Sequence, residues 1–155
     1  MSKILKVKAR QVFDSRGNPT VEAEVYTNNL SASAICPSGA STGTYEAFEK
    51  RDKNNKKYLG KSVLKAVELV NSKISKKLKG QNVHNQERID ALLINLDGTR
   101  QKTNLGANAM LAVSIAVKKL SAKVKKLPLY KTFFIKNNFQ LPYPLMNIIN
   151  GGAHA

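Results

Sequence analysis

A chain of 155 residues with 42% apolar and 23% charged side chains has globular composition, which excludes a disordered tail and leaves room for a sizeable core. The 26 Lys and Arg against 10 Asp and Glu give a net charge of +16, which raises nucleic acid, anionic lipid or an acidic ligand as partners. A single Cys36 excludes an internal disulfide framework, the start at Met1 lacks the apolar stretch of a secretion signal, and no apolar run is long enough for a membrane span, so a cytoplasmic setting is expected.

Residues 5–10 alternate, with Leu5, Val7 and Ala9 on one face and Lys6, Lys8 and Arg10 on the other. Val21, Ala23 and Val25 alternate in the same way with Glu22 and Glu24, so both segments predict half-buried strands. The turn composition of 14–19 makes them antiparallel and sets basic side chains near acidic ones, for about 0.2 to 1 kcal/mol per cross-strand pair. Arg16 on that turn is either solvated or directed at a carboxylate of another domain or subunit. A second turn at Asn28-Asn29 leads into 30–36 and completes a three-stranded meander. The triplet Asn29-Leu30-Ser31 matches a glycosylation acceptor, a chance match in a chain without a signal peptide.

The meander delivers the chain to residues 37–47, where every residue from Ser38 to Thr44 is small or hydroxylated. Such a run builds no core. It suits a plain polar connection or a mobile loop that closes over an oxyanion or completes a metal's oxygen shell. Gly60-Lys61-Ser62 resembles the end of a phosphate-binding P-loop, but position 55, where that motif needs its first glycine, is Asn55. The expected reading is a helix start capped by Ser62.

From there the period becomes helical. Val63, Val67, Val70, Ile74 and Leu78 predict a helix that Gly80 ends, and a second is expected over 87–96, closed by Asp97-Gly98. A third, 107–124, is apolar on most of its surface over 109–117, which implies a helix sandwiched between two neighbours. The lysines of 53–79 and 118–136 are dispersed, with Tyr58 alone interleaved among the first group, which argues against a nucleic-acid reader. His84, before the second helix, reads as structural or surface. A short helix is expected after Pro128, to about Lys136. Residues 141–152 then read as a proline-punctuated linker into a buried strand, 145–149, ended by Gly151-Gly152. Ala155 is expected to lie just inside a second domain. His154, past that strand, is either a ligand to substrate or metal or a surface residue.

Eight runs in order, DSRGNPTVE at 14–22, PSGASTGTYEA at 37–47, EKRD at 49–52, LGK at 59–61, LDGT at 96–99, GANAMLAVS at 106–114, PLY at 128–130 and MNIINGGAHA at 146–155, make the chain resemble the amino-terminal part of the enolase family. The resemblance covers nearly the whole chain and departs from the usual pattern at Glu49-Lys50 and in its lysine-rich helices. It implies an α+β fold: a three-stranded antiparallel meander followed by a helical bundle over 1–138, then over 139–155 a linker and the first strand of an αβ barrel whose remainder is missing. The implied reaction is dehydration of 2-phosphoglycerate to phosphoenolpyruvate with two magnesium ions, in a dimer or dimer-based octamer. By the same resemblance Ser41 coordinates the second magnesium, Ala40 and Ser41 meet the substrate, Gly39 and Gly43 are hinges of a closing lid, and His154 contacts substrate. Arg10 and Glu22 match ion pairs across a dimer interface, in competition with pairing inside the sheet. The base lysine, acid glutamate and carboxylates for the first magnesium lie beyond Ala155 on this comparison, so no catalytic residue is assigned here and the chain alone is expected to lack hydratase activity. The other reading is a stand-alone basic module that binds RNA or an acidic protein and keeps the same fold. Were the broad 109–117 face to pack against a barrel, its removal would expose that face.

Overall fold

The computed structural model describes residues 2–39, 43–133, 139–149 and 151. Strands β1 (Lys6–Phe13), β2 (Pro19–Tyr26) and β3 (Ser31–Cys36) form one antiparallel sheet in chain order, as the alternation predicts. Arg10 stands opposite Glu22 and Lys8 opposite Glu24, so the charged residues share one face while Val7, Val21, Ala23, Val25 and Ala34 are buried on the other. The meander is therefore built by its period-two pattern, with a turn at 14–18 in which the Asp14 carboxylate accepts the Arg16 and Asn18 amides.

The first helix is continuous but not uniform: α-helix over Leu64–Leu69, a π turn over Val70–Ile74 and α-helix again over Ser75–Leu78. Its buried residues Ala66, Val70, Ile74 and Leu78 step by four, which overruns the 3.6-residue repeat, and the π turn absorbs the excess. The wider turn sets Asn71 and Ser75 against the outer edge of β1. Asn71 accepts the Ala9 amide at 2.7 Å and donates to its carbonyl at 3.1 Å, and the Ser75 hydroxyl accepts the Val7 amide. At the opposite edge Lys119 and Lys123 donate to the carbonyls of Ser33 and Ser31. Side chains thus take some of the main-chain groups on each edge of the sheet, which disfavours pairing with another strand there.

The expected cap at Ser62 is not what the fold uses. Ser62 is buried and donates to the Gln11 side chain, while the amides of Leu64 and Lys65 are taken by the two carboxylate oxygens of Asp52, each at 3.0 Å. An acceptor ten residues before Ser62 does the capping, because the 52–53 backbone runs back alongside Gly60 and Ser62. Asp52→Ala is expected to cost about 1 kcal/mol, the usual worth of an N-cap, read as a lower urea midpoint at unchanged slope. An unchanged midpoint would refute the assignment.

The second helix is Gln86–Asp97, capped by the Asn85 side chain and closed by Gly98, and the third is Ala107–Val124. The third helix lies between the sheet and the second helix, with Ala109, Ala112, Val113, Ala116, Val117 and Leu120 buried. The sandwiched helix inferred from its breadth is what is found. Most of its apolar face over 109–117 is buried inside this chain, with Leu111 half exposed, so the condition under which loss of a barrel would bare that face is not met by these residues.

A short helix does follow Pro128: it is 3-10 over Leu129–Thr132, and its expected continuation to about Lys136 falls on residues 134–138, which lie outside the described residues. Residues 139–149 form no regular structure, and Leu145, Met146, Ile148 and Ile149 are 74–99% exposed, where a buried strand was expected. A strand needs a neighbour for its backbone groups and a layer for its side chains, and the described residues supply neither.

Candidate functional site: the loop that follows the third strand

Of the residues singled out for function, Ala40, Ser41 and His154 lie outside the described residues. What the structure does describe is how the loop carrying the first two is held. Residues 39–43, Gly-Ala-Ser-Thr-Gly, contain no side chain larger than threonine.

At the incoming end Ser38 is held through both of its oxygens. Its hydroxyl donates to the Glu49 carboxylate at 2.5 Å and accepts from the Arg51 guanidinium at 2.6 Å, and its carbonyl accepts from Arg16 at 3.2 Å. Arg51 and Glu49 are themselves an ion pair at 2.8 Å, the two side chains 19% and 31% exposed. Arg51 also donates to the carbonyls of Pro19, at 3.1 Å, and of Lys61, so one guanidinium joins β2, the start of the first helix and the loop. Gly39, next in the chain, is exposed. At the outgoing end the Gly43 amide donates to the Glu46 carboxylate at 2.9 Å.

The stretch that holds the loop is itself held. Asn108, buried at the start of the third helix, accepts the Lys50 amide and donates to the Lys50 carbonyl, both at 3.1 Å, and the Phe48 carbonyl accepts the Ala107 amide. Residues 48–52 are thus a hub between loop, sheet and two helices. Sequence reasoning quoted EKRD as a pattern and missed the roles of Glu49, Arg51, Asp52 and Asn108; two bases flanked by two acids beside a core-poor loop were the available signal. Arg16 is exposed, in line with the solvated reading, and it also donates to the Ser38 carbonyl of its own chain. It borders an open cavity of about 590 Å³ with Asp14, Ser38, Ile35 and Lys119.

Arg10 and Glu22 pair inside the sheet at 2.5 Å, with Arg10 65% exposed and Glu22 11%. The hydrogen bond and charge of Glu22 hold the Arg10 guanidinium above its ordinary range. His84 bonds Ser121 at 2.9 Å, which ties the turn before the second helix to the third; burial, then the charges of Lys125 and the amino terminus, push its imidazole down and favour the neutral ring. Among the described residues no three His, Cys, Asp or Glu side chains converge, so these residues do not by themselves fit a divalent cation. No helix among them is long and apolar enough to cross a membrane.

A three-stranded meander packed against helices, with the stems of a small-residue loop held at Ser38 and Gly43, defines an α+β domain. Residues 4–133 match the family described as "Enolase, N-terminal domain", and the chain belongs to that family. It is similar to the enolase of Pelagibacter ubique (strain HTCC1062), 83% identical over 155 residues that make up 100% of this chain and 37% of that protein. The enolase of Methanococcus maripaludis is 57% identical over 153 residues, 98% of this chain and 36% of that protein. The chain therefore spans little more than a third of the length of the curated relatives it matches. The stand-alone basic module finds no support in either relative.

Proposed function

We propose that this chain is the loop-bearing part of a phosphopyruvate hydratase, the enzyme that removes water from 2-phosphoglycerate to form phosphoenolpyruvate. The observation that supports the reading is the loop brace: Ser38 and Gly43 are fixed by Glu49, Arg51, Arg16 and Glu46, and between them lies a run without bulk that carries Ser41. In that reaction a weakly acidic C2 proton leaves beside a carboxylate, so the enediolate that develops is highly charged and water must be kept from it. This chain's share of the work is to lay Ala40 and Ser41 over the bound substrate, with Gly39 and Gly43 as hinges, and to bring His154 to it.

Magnesium, in this reading, supplies charge neutralisation to the enediolate. The described residues form no site for it, and Ser41 would add one oxygen to a set of carboxylates outside this chain. The proton-transferring lysine and glutamate are likewise outside it. Arg10 and Glu22, paired within the sheet, would exchange or share partners across a dimer or dimer-based octamer. A cytoplasmic setting suits Cys36, whose thiol is pushed up by burial and by Glu49.

The test is a chimera in which this chain replaces the matching amino-terminal segment of the Pelagibacter relative. It is expected to convert 2-phosphoglycerate within about tenfold of the parent rate, a barrier change of about 1.4 kcal/mol. The isolated chain is expected to show no conversion. A folded chimera without activity, or an active isolated chain, would overturn the reading.

A further inference from the structure

The contacts of Arg51 exceed what a structural staple needs. Joining β2 to the first helix takes only its bonds to the Pro19 and Lys61 carbonyls, yet its other terminal nitrogen is spent on Ser38 and Glu49. The second pair of contacts ends on Ser38 and Glu49, at the residue that precedes Gly39. We propose that Arg51 is a positioning residue for the reaction proposed above: it sets the position of the stem Ser38–Gly39, and it acts through the Ser38 hydroxyl.

The chemistry favours this over a local role. A guanidinium presents a rigid fork of donors, so four acceptors on three elements fix one another's positions, which the single ammonium of a lysine does not reproduce. Glu49 balances the charge and accepts the Ser38 proton, so the hydroxyl has one orientation, with its lone pairs facing Arg51. Arg16 holds the carbonyl of the same residue from the turn between β1 and β2. Displacing the Ser38 oxygen therefore moves the origin of the loop while the sheet stays in place.

The inference rests on the loop reading, and the experiment separates the two. In the full 155-residue chain, amide hydrogen exchange across 37–47 is measured for Arg51→Lys, Ser38→Ala and the double variant, with exposed Lys73→Ala as control. Each single change is expected to speed exchange at 39–44 by about tenfold, the worth of one charge-assisted hydrogen bond. The double variant is expected to go no faster than either, because both remove the same link. In the chimera, kcat/KM is expected to fall by about tenfold in each single variant and no further in the double. Exchange at 39–44 that is unchanged, effects that multiply, or loop exchange that rises while kcat/KM does not, would each overturn the assignment. If Arg51→Lys does not fold, Ser38→Ala decides it alone, since that change leaves the Arg51–Glu49, Pro19 and Lys61 contacts standing. Should the unmutated chimera be inactive, the functional reading falls, and the exchange data still decide whether Arg51 governs the loop through Ser38.

Discussion

Gly106→Ala is expected to lower the melting temperature by about 10 °C, because two separate costs fall on one methyl group. The backbone at Gly106 has φ of +93°, a left-handed conformation that costs a residue with a Cβ about 1–2 kcal/mol. A Cβ there would also stand 2.5 Å from the Lys50 Cβ and 2.6 Å from the Asn108 Oδ1, closer than real contacts allow. Neither neighbour is free to withdraw, since Asn108 and Lys50 hold each other through two hydrogen bonds, and overpacking of this kind costs about 1–3 kcal/mol. Together the terms come to about 3 kcal/mol in a domain of this size, where each shifts the melt by about 3 °C. Gly80→Ala is the matched control: φ is +82° but nothing lies within 4 Å, so only the backbone cost applies. Equal losses in the two variants, read by circular dichroism on heating, would show that the crowding at Gly106 is absent. Because the displaced residue is Lys50, Gly106→Ala is also expected to disturb Glu49 and Arg51 on either side of it, and with them the Ser38 stem.

Asp97→Asn is expected to flatten the acid limb of the stability profile, and Asp97→Ala to destabilise the fold by about 3 kcal/mol at neutral pH, the cost of orphaning buried donors to a charged acceptor. Asp97 is 1% exposed and accepts the Thr99 amide at 3.0 Å, the Thr99 hydroxyl and the Leu105 amide at 2.7 Å. Burial alone raises its pKa, but the Thr99 and Leu105 hydrogen bonds with Lys102 nearby outweigh it, so the carboxyl sits below its ordinary 3.8. A folded-state pKa below the unfolded one means that the group's contribution is present above about pH 4 and is lost as pH falls through the folded value. Asp14 and Glu24 are lowered too, the first chiefly by the Asn18 amide and the second by Tyr26 and Ser31, so acid sensitivity is shared. The diagnostic quantity is therefore the difference between wild type and Asp97→Asn in urea stability from about pH 5 down to pH 2. Parallel profiles would refute the assignment. The carboxylate matters because it organises 97–105, the connection that brings Gly106 against Lys50.

The two predictions converge on one place, and it is where reading the chain locally falls short. Ser62 fits a helix start in sequence, yet Asp52 does the capping, since backbone pairing of 52–53 with 60–62 places a carboxylate over amides that local spacing never links to it. The helical period was read through Val63, Val67 and Val70, whereas the buried side chain of that turn is Ala66 and Val67 is only partly buried, so the four-residue steps from Ala66 to Leu78 appear only in the structure. That the excess becomes a π turn depends on Asn71 and Ser75 meeting the edge of β1. An apolar run at 145–149 reads as a buried strand wherever it occurs, while burial requires a partner, and none is among the described residues.

The sequence by itself determined the meander, the buried face of its first two strands from Val7 onward, the three helices and the family, because alternation, helical period, turn residues and motif order are short-range properties carried by neighbouring residues. Only the tertiary structure decided that Glu49, Arg51 and Asp52 are the hub of the domain, that Arg16 reaches Ser38, and that Gly106 has no room for a side chain. Those facts rest on contacts between residues ten to sixty positions apart, whose meeting is set by how the layers pack and not by what stands beside them in the chain.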